Sequence, residues 1–250
     1  MKCGFFYRET EADGFYGLVY NDMVRSINNL IEKREIEEYE LKDLKIGVPV
    51  RPSKIVAVGL NYRFHAEELK NKLPEEPLIF LKPPSSVIPH LGTIVYPDSV
   101  KRLDYEAELG VVIKKTAKKV RKEEAKEYIL GYTAFNDVTA RDLQAKDGQW
   151  TRAKGFDTFS PFGPFIETEI ENPENLRIQA ILNDEVKQDA STSDMIFGVS
   201  ELISFISHVM TLYPGDLIAT GTPEGIGPMV KGDRITVRIE GLNDLTNYVG

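Results

Sequence analysis

The chain is poor in the residues that oxidative folding and thiolate chemistry require: it has a single cysteine, Cys3, among 250 residues. One thiol excludes an intrachain disulfide and any cysteine-built zinc cluster. Long apolar runs are also missing. No stretch approaches the roughly 20 apolar residues of a membrane span, and Met1-Lys2-Cys3-Gly4-Phe5-Phe6 lacks the apolar core of a secretory signal. A cytoplasmic protein with no membrane partner is expected. Positive charge is the third scarcity, with 31 Lys and Arg against 39 Asp and Glu and a net charge of −8. The densest basic run, Lys114 to Arg121, is followed at once by Glu123 and Glu124. It reads as a solvated loop and helix start rather than a phosphate-binding surface, so no nucleic-acid partner is expected.

What remains is ordinary for a globular enzyme or binding domain: 42% hydrophobic and 28% charged residues, enough for a sizeable core. The length suits one large domain, or one domain with a small appendage. Gly47-Val48-Pro49-Val50-Arg51-Pro52 interrupts regular structure and divides a small N-terminal region, 1–50, from the main domain, 51–250. Within the first region, aromatic segments at 4–7 and 15–20 precede a charged stretch, 22–40, that reads as helical. Further on, short strand-like segments dominate: 54–59, 78–82, 93–96, 104–113, 131–137, 165–168, 177–182, 217–220 and 234–240. Helices are expected near 122–128, from about Val138 through Gln144, and at 199–210, where Val199, Leu202, Ile203, Ile206 and Val209 keep helical spacing before Pro214 and Gly215. The fold class is therefore α+β and β-rich, not doubly wound.

The most informative ten residues are Asp104-Tyr105-Glu106-Ala107-Glu108-Leu109-Gly110-Val111-Val112-Ile113. Alternate residues of a strand share a face, so Glu106 and Glu108 project together, roughly 6–7 Å apart at Cα. Asp137 ends another strand-like segment. Two anions about 5 Å apart repel by roughly 3 kcal/mol at an effective dielectric near 20. A partly buried trio therefore needs a cation or a proton, and all-oxygen ligands suit Mg²⁺, Mn²⁺ or Ca²⁺. The competing reading is a solvent-facing pair of glutamates over a buried Ala107 and Leu109.

His65 follows a strand, and Glu68 three residues later shares its face on a helix. A carboxylate beside an imidazole raises its basicity and fixes its tautomer, as a general base requires. Lys154, before Gly155 and Phe156, could be drawn into a pocket to stabilise a developing anion, although a surface lysine is the simpler reading. The glycine-rich loop 220–228 lacks the phosphate-loop and dinucleotide patterns. Its backbone N–H groups and the Thr222 hydroxyl could instead meet a small carboxylate. His90 has no identifiable partner, and His208 reads as structural or surface.

Six motifs in order carry a resemblance: Gly59-x-Asn61-Tyr62-x-x-His65-x-x-Glu68, Phe80 to Ser86, Asp104-Tyr105-Glu106-x-Glu108-Leu109, Asn136-Asp137-Val138-Thr139-Ala140-Arg141-Asp142-x-Gln144, Lys154 to Asp157, and Gly221-Thr222-Pro223-x-Gly225-x-Gly227. Together they resemble the fumarylacetoacetate hydrolase family over about four-fifths of the chain, from Lys54 on. The resemblance implies that family's mixed β-roll with a small N-terminal appendage, 51–250 as the catalytic domain, and a homodimer. It implies a Mg²⁺ or Mn²⁺ site at Glu106, Glu108 and Asp137. Catalytic roles fall to His65, Glu68 and Lys154, substrate binding to Arg141, Gln144 and Thr222, and a lid to 61–77. Phe64 stands where an acidic residue is common and Gly155 where Ser is frequent. The N-terminal part is too short for the extra domain of fumarylacetoacetase.

The implied substrate is a small 2-oxo acid, and the implied chemistry passes through its enolate. Hydrolytic C–C cleavage of an acylpyruvate is the expected reaction, because a His65–Glu68 base is superfluous for simple decarboxylation. Oxaloacetate decarboxylation or tautomerisation and isomerisation of an unsaturated 2-oxo diacid use the same enolate. A metal-dependent carboxylate-binding protein without turnover is the reading from another class.

Overall fold

Short aliphatic and aromatic runs punctuated by Gly, Pro and Asn favour strands over helices. The computed structural model describes residues 1–8, 13–64 and 72–250. Strands β1 (Lys2–Arg8), β2 (Gly14–Tyr20), β3 (Met23–Ile27), β4 (Glu35–Glu40) and β5 (Leu44–Ile46) come from the N-terminal region. They are followed by β6 (Ile55–Gly59), β7 (Leu78–Lys82), β8 (Val87–Ile88), β9 (Thr93–Ile94), β10 (Leu103–Tyr105), β11 (Ala107–Ile113) and β12 (Ile129–Asn136). The last eight are β13 (Thr139–Ala140), β14 (Ser160–Glu167), β15 (Arg177–Leu182), β16 (Glu185–Ser191), β17 (Leu217–Ala219), β18 (Gly227–Met229), β19 (Arg234–Ile239) and β20 (Leu245–Val249). The α-helices among the described residues are Arg141–Asp147, Thr151–Lys154 and Val199–Val209.

The strands form three sheets. The largest runs β4-β3-β2-β1-β14-β12-β11-β17-β6-β7, with β5 and β8 joined to β1 and β14. A three-stranded sheet, β13-β10-β18, and a five-stranded sheet, β16-β15-β19-β20-β9, are the other two among the described residues. Every residue of β11 is buried, because apolar layers cover both of its faces. Leu109, Val111 and Ile113 join the core that contains Leu202, Ile203 and Ile206 of the long helix. Val112 points the other way, among Ile55, Ala57, Phe135 and Phe162. Each such side chain contributes roughly 1.5–3 kcal/mol by leaving water, so the strand carrying Glu108 is held from two sides.

Three expectations need correction. The stretch 22–40 is not helical: β3 and β4 form a hairpin in which Arg25 bonds Glu35 and Glu38 at 3.2 and 3.3 Å. Its turn is built by Asn28 and Asn29, whose side chains accept from the backbone N–H groups of Arg34, Ile31 and Glu32. Such Asx turns outweigh the helix preference of the surrounding glutamates. The segment 104–113 is not one strand either. It breaks at Glu106, whose N–H donates to Asn136 Oδ1 (3.0 Å) and whose carbonyl accepts from Asp137 N (2.9 Å). Finally, His90 does have a partner, since its Nδ1 accepts from Thr246 N at 3.0 Å. His208 is exposed, as expected, and bonds Ser204 within its own helix.

Candidate metal and substrate site

The register of two neighbouring strands assembles the site. Antiparallel pairing sets Ala107 opposite Asn136, which brings Asp137, one residue beyond β12, beside Glu106 and Glu108. One carboxylate oxygen from each of the three lies within 4.8 Å of the others. All three residues are buried, Glu106 at 5% exposure and the other two at 1%. Glu108 Oε2 accepts from Gly221 N at 2.9 Å, and Thr139 Oγ1 donates to Glu106 Oε1 at 3.1 Å.

Burial, followed by the Asp137 and Glu106 charges, holds the Glu108 carboxyl well above the usual carboxylate range. This is the behaviour of a buried carboxyl packed against like charges. Three hard oxygen donors, converging and dry, fit a divalent cation and leave part of an octahedral shell for other ligands.

Two lysines enter the cluster. Lys154, at the end of helix Thr151–Lys154, is 2% exposed and donates to Glu106 Oε2 (2.7 Å) and Asp137 Oδ2 (2.6 Å). Burial pushes its pKa down, but Asp137 and Glu106 outweigh that and the net shift is upward. Lys82, at the end of β7, donates to Asp137 Oδ1 and to Val138 O. With one carboxylate instead of two, and with Lys154 nearby, burial prevails and its pKa is lowered. Lys154 also lies over the Phe80 ring, 5.3 Å from its centroid, and Phe80 meets Trp150 edge-on.

Arg141 opens its helix and ties two carboxylates together. Its Nε donates to Asp104 Oδ2 at 2.9 Å, its Nη2 to Glu106, and its Nη1 to Gln144 Oε1 at 2.6 Å. Asp104 is fully buried and also receives Arg102 in a two-pronged pair. The carboxylates, Lys154, Arg141, Gln144 and Thr222 line one cavity of about 300 Å³, walled by Val58, Leu60, Phe80, Ala145 and Trp150. This is the small end of the usual ligand-pocket range.

Seven of the nine expected site residues are thus brought together. The other two, His65 and Glu68, lie outside the described residues. Lys82, Asp104 and Gln188 belong to the same assembly and went unrecognised in the sequence. Lys82 reads as the end of a short strand, and Gln188 falls on a polar segment with no apolar alternation.

Gly221 shows how tightly the loop is fitted. Its φ is +95°, and a Cβ there would lie 2.7 Å from Asn61 Cβ and 3.0 Å from Val58 O. Asn61 cannot yield, because its side chain bonds Phe197 N, Phe197 O and Thr220 O. Gly221→Ala is expected to cost about 1–3 kcal/mol and to pull its N–H away from Glu108. Thermal unfolding with a Mg²⁺ titration tests both; unchanged Mg²⁺ affinity in the variant would show that this hydrogen bond does not place Glu108.

Comparison with known proteins identifies the family. Residues 54–250 match the family described as fumarylacetoacetate (FAA) hydrolase C-terminal. The chain is 41% identical over 227 residues to oxaloacetate tautomerase YisK of Bacillus subtilis, covering 85% of this chain and 75% of that one. A crystal structure of 5-carboxymethyl-2-hydroxymuconate delta-isomerase from Mycobacterium smegmatis superposes with a TM-score of 0.91 at 40% identity, covering 100% of this chain and 98% of that one. Fumarylpyruvate hydrolase from Pseudomonas aeruginosa, solved with Mn²⁺ and pyruvate, matches with a TM-score of 0.75 at 34% identity, over 80% and 90% of the two chains. The chain belongs to the fumarylacetoacetate hydrolase C-terminal family.

Proposed function

We propose that this protein is a divalent-metal-dependent enzyme that binds a small 2-oxo acid in the Glu106–Glu108–Asp137 cavity and stabilises its enolate. The observation that carries this reading is the buried carboxylate trio facing a cavity that also contains a buried lysine and an arginine. Counting full charges, three carboxylates meet three cations, Lys82, Lys154 and Arg141. A divalent ion on the trio would act as a Lewis acid toward the keto oxygen, and its charge would leave the cavity positive overall and receptive to a carboxylate. Thr222 and Gln144 are polar groups placed to meet that carboxylate. Lys154 sets an ammonium beside negative charge developing on the keto oxygen, in a site dry enough for the interaction to count. Phe80, Trp150 and Leu60 add apolar surface to the same cavity.

Which reaction follows depends on the proton and the nucleophile. No histidine is among the described residues lining the cavity, so a water-activating base would have to be His65 with Glu68. With that pair, hydrolytic C–C cleavage of an acylpyruvate follows. A second reading, enolate chemistry without hydrolysis (tautomerisation, decarboxylation or double-bond migration), is favoured by the tautomerase and isomerase relatives, which match at 40–41% identity, against 34% for the hydrolase. We further propose that residues 51–250 form the catalytic domain, that the protein acts as a homodimer, and that Mg²⁺ serves as its ion.

Proton NMR of the purified protein with Mg²⁺, acylpyruvates, oxaloacetate and unsaturated 2-oxo diacids, each with a chelator control, separates these readings. Chelator-sensitive release of pyruvate and a free acid from an acylpyruvate would establish hydrolysis. Keto–enol exchange, decarboxylation or double-bond migration without hydrolysis would establish the second reading. No turnover of any 2-oxo acid, together with chelator-sensitive thermal stability, would leave a carboxylate-binding protein.

A further inference from the structure

Gln188 lies on β16, in the five-stranded sheet, outside every motif noted in the sequence. Its side chain is 1% exposed and reaches into the seam behind the cavity. Its Oε1 accepts from Ala107 N at 2.9 Å, between the two glutamates of the trio. Its Nε2 donates to Thr222 Oγ1 at 2.9 Å and to Pro223 O at 2.8 Å. The orientation of this amide is fixed by its partners: a backbone N–H can only donate, and a proline carbonyl can only accept. The loop is seated on the same strand at Gly225, where a Cβ would stand 2.4 Å from Lys187 O.

A hydroxyl has one proton to give and lone pairs to receive with. Because the Gln188 amide already occupies a lone pair of Thr222, the arrangement leaves the hydroxyl proton for whatever the cavity holds. We infer that Gln188 is a positioning residue that fixes the Thr222 hydroxyl as a donor toward a ligand carboxylate. The inference rests on the 2-oxo acid reading of the cavity. Without Gln188, nothing fixes the rotation of the Thr222 hydroxyl, which can then turn lone pairs toward the anion.

The test is calorimetric titration of the Mg²⁺-loaded full chain with oxalate, a chelating dicarboxylate, in wild type, Gln188→Met, Thr222→Val and the double variant. Each single variant is expected to weaken oxalate about tenfold, the loss of one hydrogen bond to a charged group. The double variant should be no weaker than Thr222→Val alone within about twofold, and Mg²⁺ affinity without oxalate should hold within the same margin. Thr222→Ser should retain wild-type affinity. Equal losses from Gln188→Met on both backgrounds, or a parallel loss of Mg²⁺, would overturn the positioning role. If Gln188→Met does not fold, the side-chain amide signal of Gln188 in glutamine-labelled protein serves instead. It must shift in Thr222→Val, and an unmoved signal overturns the inference. Wild type that holds Mg²⁺ but not oxalate overturns the 2-oxo acid reading and this inference together. Oxalate bound equally well by Thr222→Val removes the inference alone.

Discussion

Glu108→Gln is expected to abolish turnover of every 2-oxo acid substrate while making the metal-free protein more stable at neutral pH. The two effects share one cause. Burial and the neighbouring Asp137 and Glu106 raise the Glu108 pKa in the folded chain. Between its unfolded value, near 4.5, and that raised value, the folded state binds more protons than the unfolded state. Stability therefore declines as pH rises through this window, and the deficit persists above it. Glutamine is close in shape, carries no charge, and can still accept from Gly221 N. It removes the deficit but also one of three ligands. Mg²⁺ affinity should fall by more than the ~10–100-fold typical of losing an outer-shell partner. The check is thermal unfolding at pH 5 and pH 8, with and without Mg²⁺. Metal-free wild type should melt lower at pH 8 by more than the variant does, and Mg²⁺ should raise only the wild type. A variant that still gains stability from Mg²⁺ would exclude Glu108 as a ligand.

Lys154→Met should be the most damaging single change to the metal-free fold among the site residues. The ammonium is buried and bonds two carboxylates, and its raised pKa keeps it fully charged at neutral pH. Its contribution would fade only as pH climbs through that raised value, far into the alkaline range. Removing one partner of a buried ion pair typically costs 3–5 kcal/mol, about what is expected here. Lys82 and Arg141 remain on other oxygens of Asp137 and Glu106, and a proton taken up by the cluster would soften the loss. Urea unfolding measures the cost. Saturating Mg²⁺ should narrow the gap to wild type, because the ion restores the missing positive charge. Turnover should not recover: losing a fixed charge beside a developing oxyanion costs on the order of 10²–10³-fold. Wild-type turnover in the variant would rule out the proposed role in enolate stabilisation.

The carboxylates were legible because the six motifs occur in order and because Glu106, Glu108 and Asp137 end or begin apolar runs. Their meeting was not, since it depends on the pairing of Ala107 with Asn136, a register that local sequence does not state. The helix Val199–Val209 was readable from its apolar spacing, with a single face buried. The hairpin of β15 and β16 was only half readable. Asn183 and Asp184 at its tip, both with positive φ, are turn residues that mark such hairpins. Yet β16 is largely exposed, and the buried residue that matters on it is a glutamine. Polar residues that work by crossing between sheets leave no periodic trace. Asp104 and Lys82 lie within the six motifs, but nothing in their local pattern marks their buried ion pairs.

Glu106 stands where the chain leaves one sheet for another, and around it are side chains from all three sheets. Relaxation of any one sheet would therefore displace a group at the trio. Metal affinity should serve as a gauge of global integrity, falling in destabilised variants whose substitutions lie far from it. The rim answers to different constraints. Leu60, Ala145 and Trp150 line the cavity without a side-chain hydrogen bond to the trio, whereas Phe80 is tied to it through Lys154. Under the proposed function, changes at these lining residues would alter selectivity for the substrate tail and leave the carboxylate trio in place; the similar proteins include a tautomerase, an isomerase and a hydrolase.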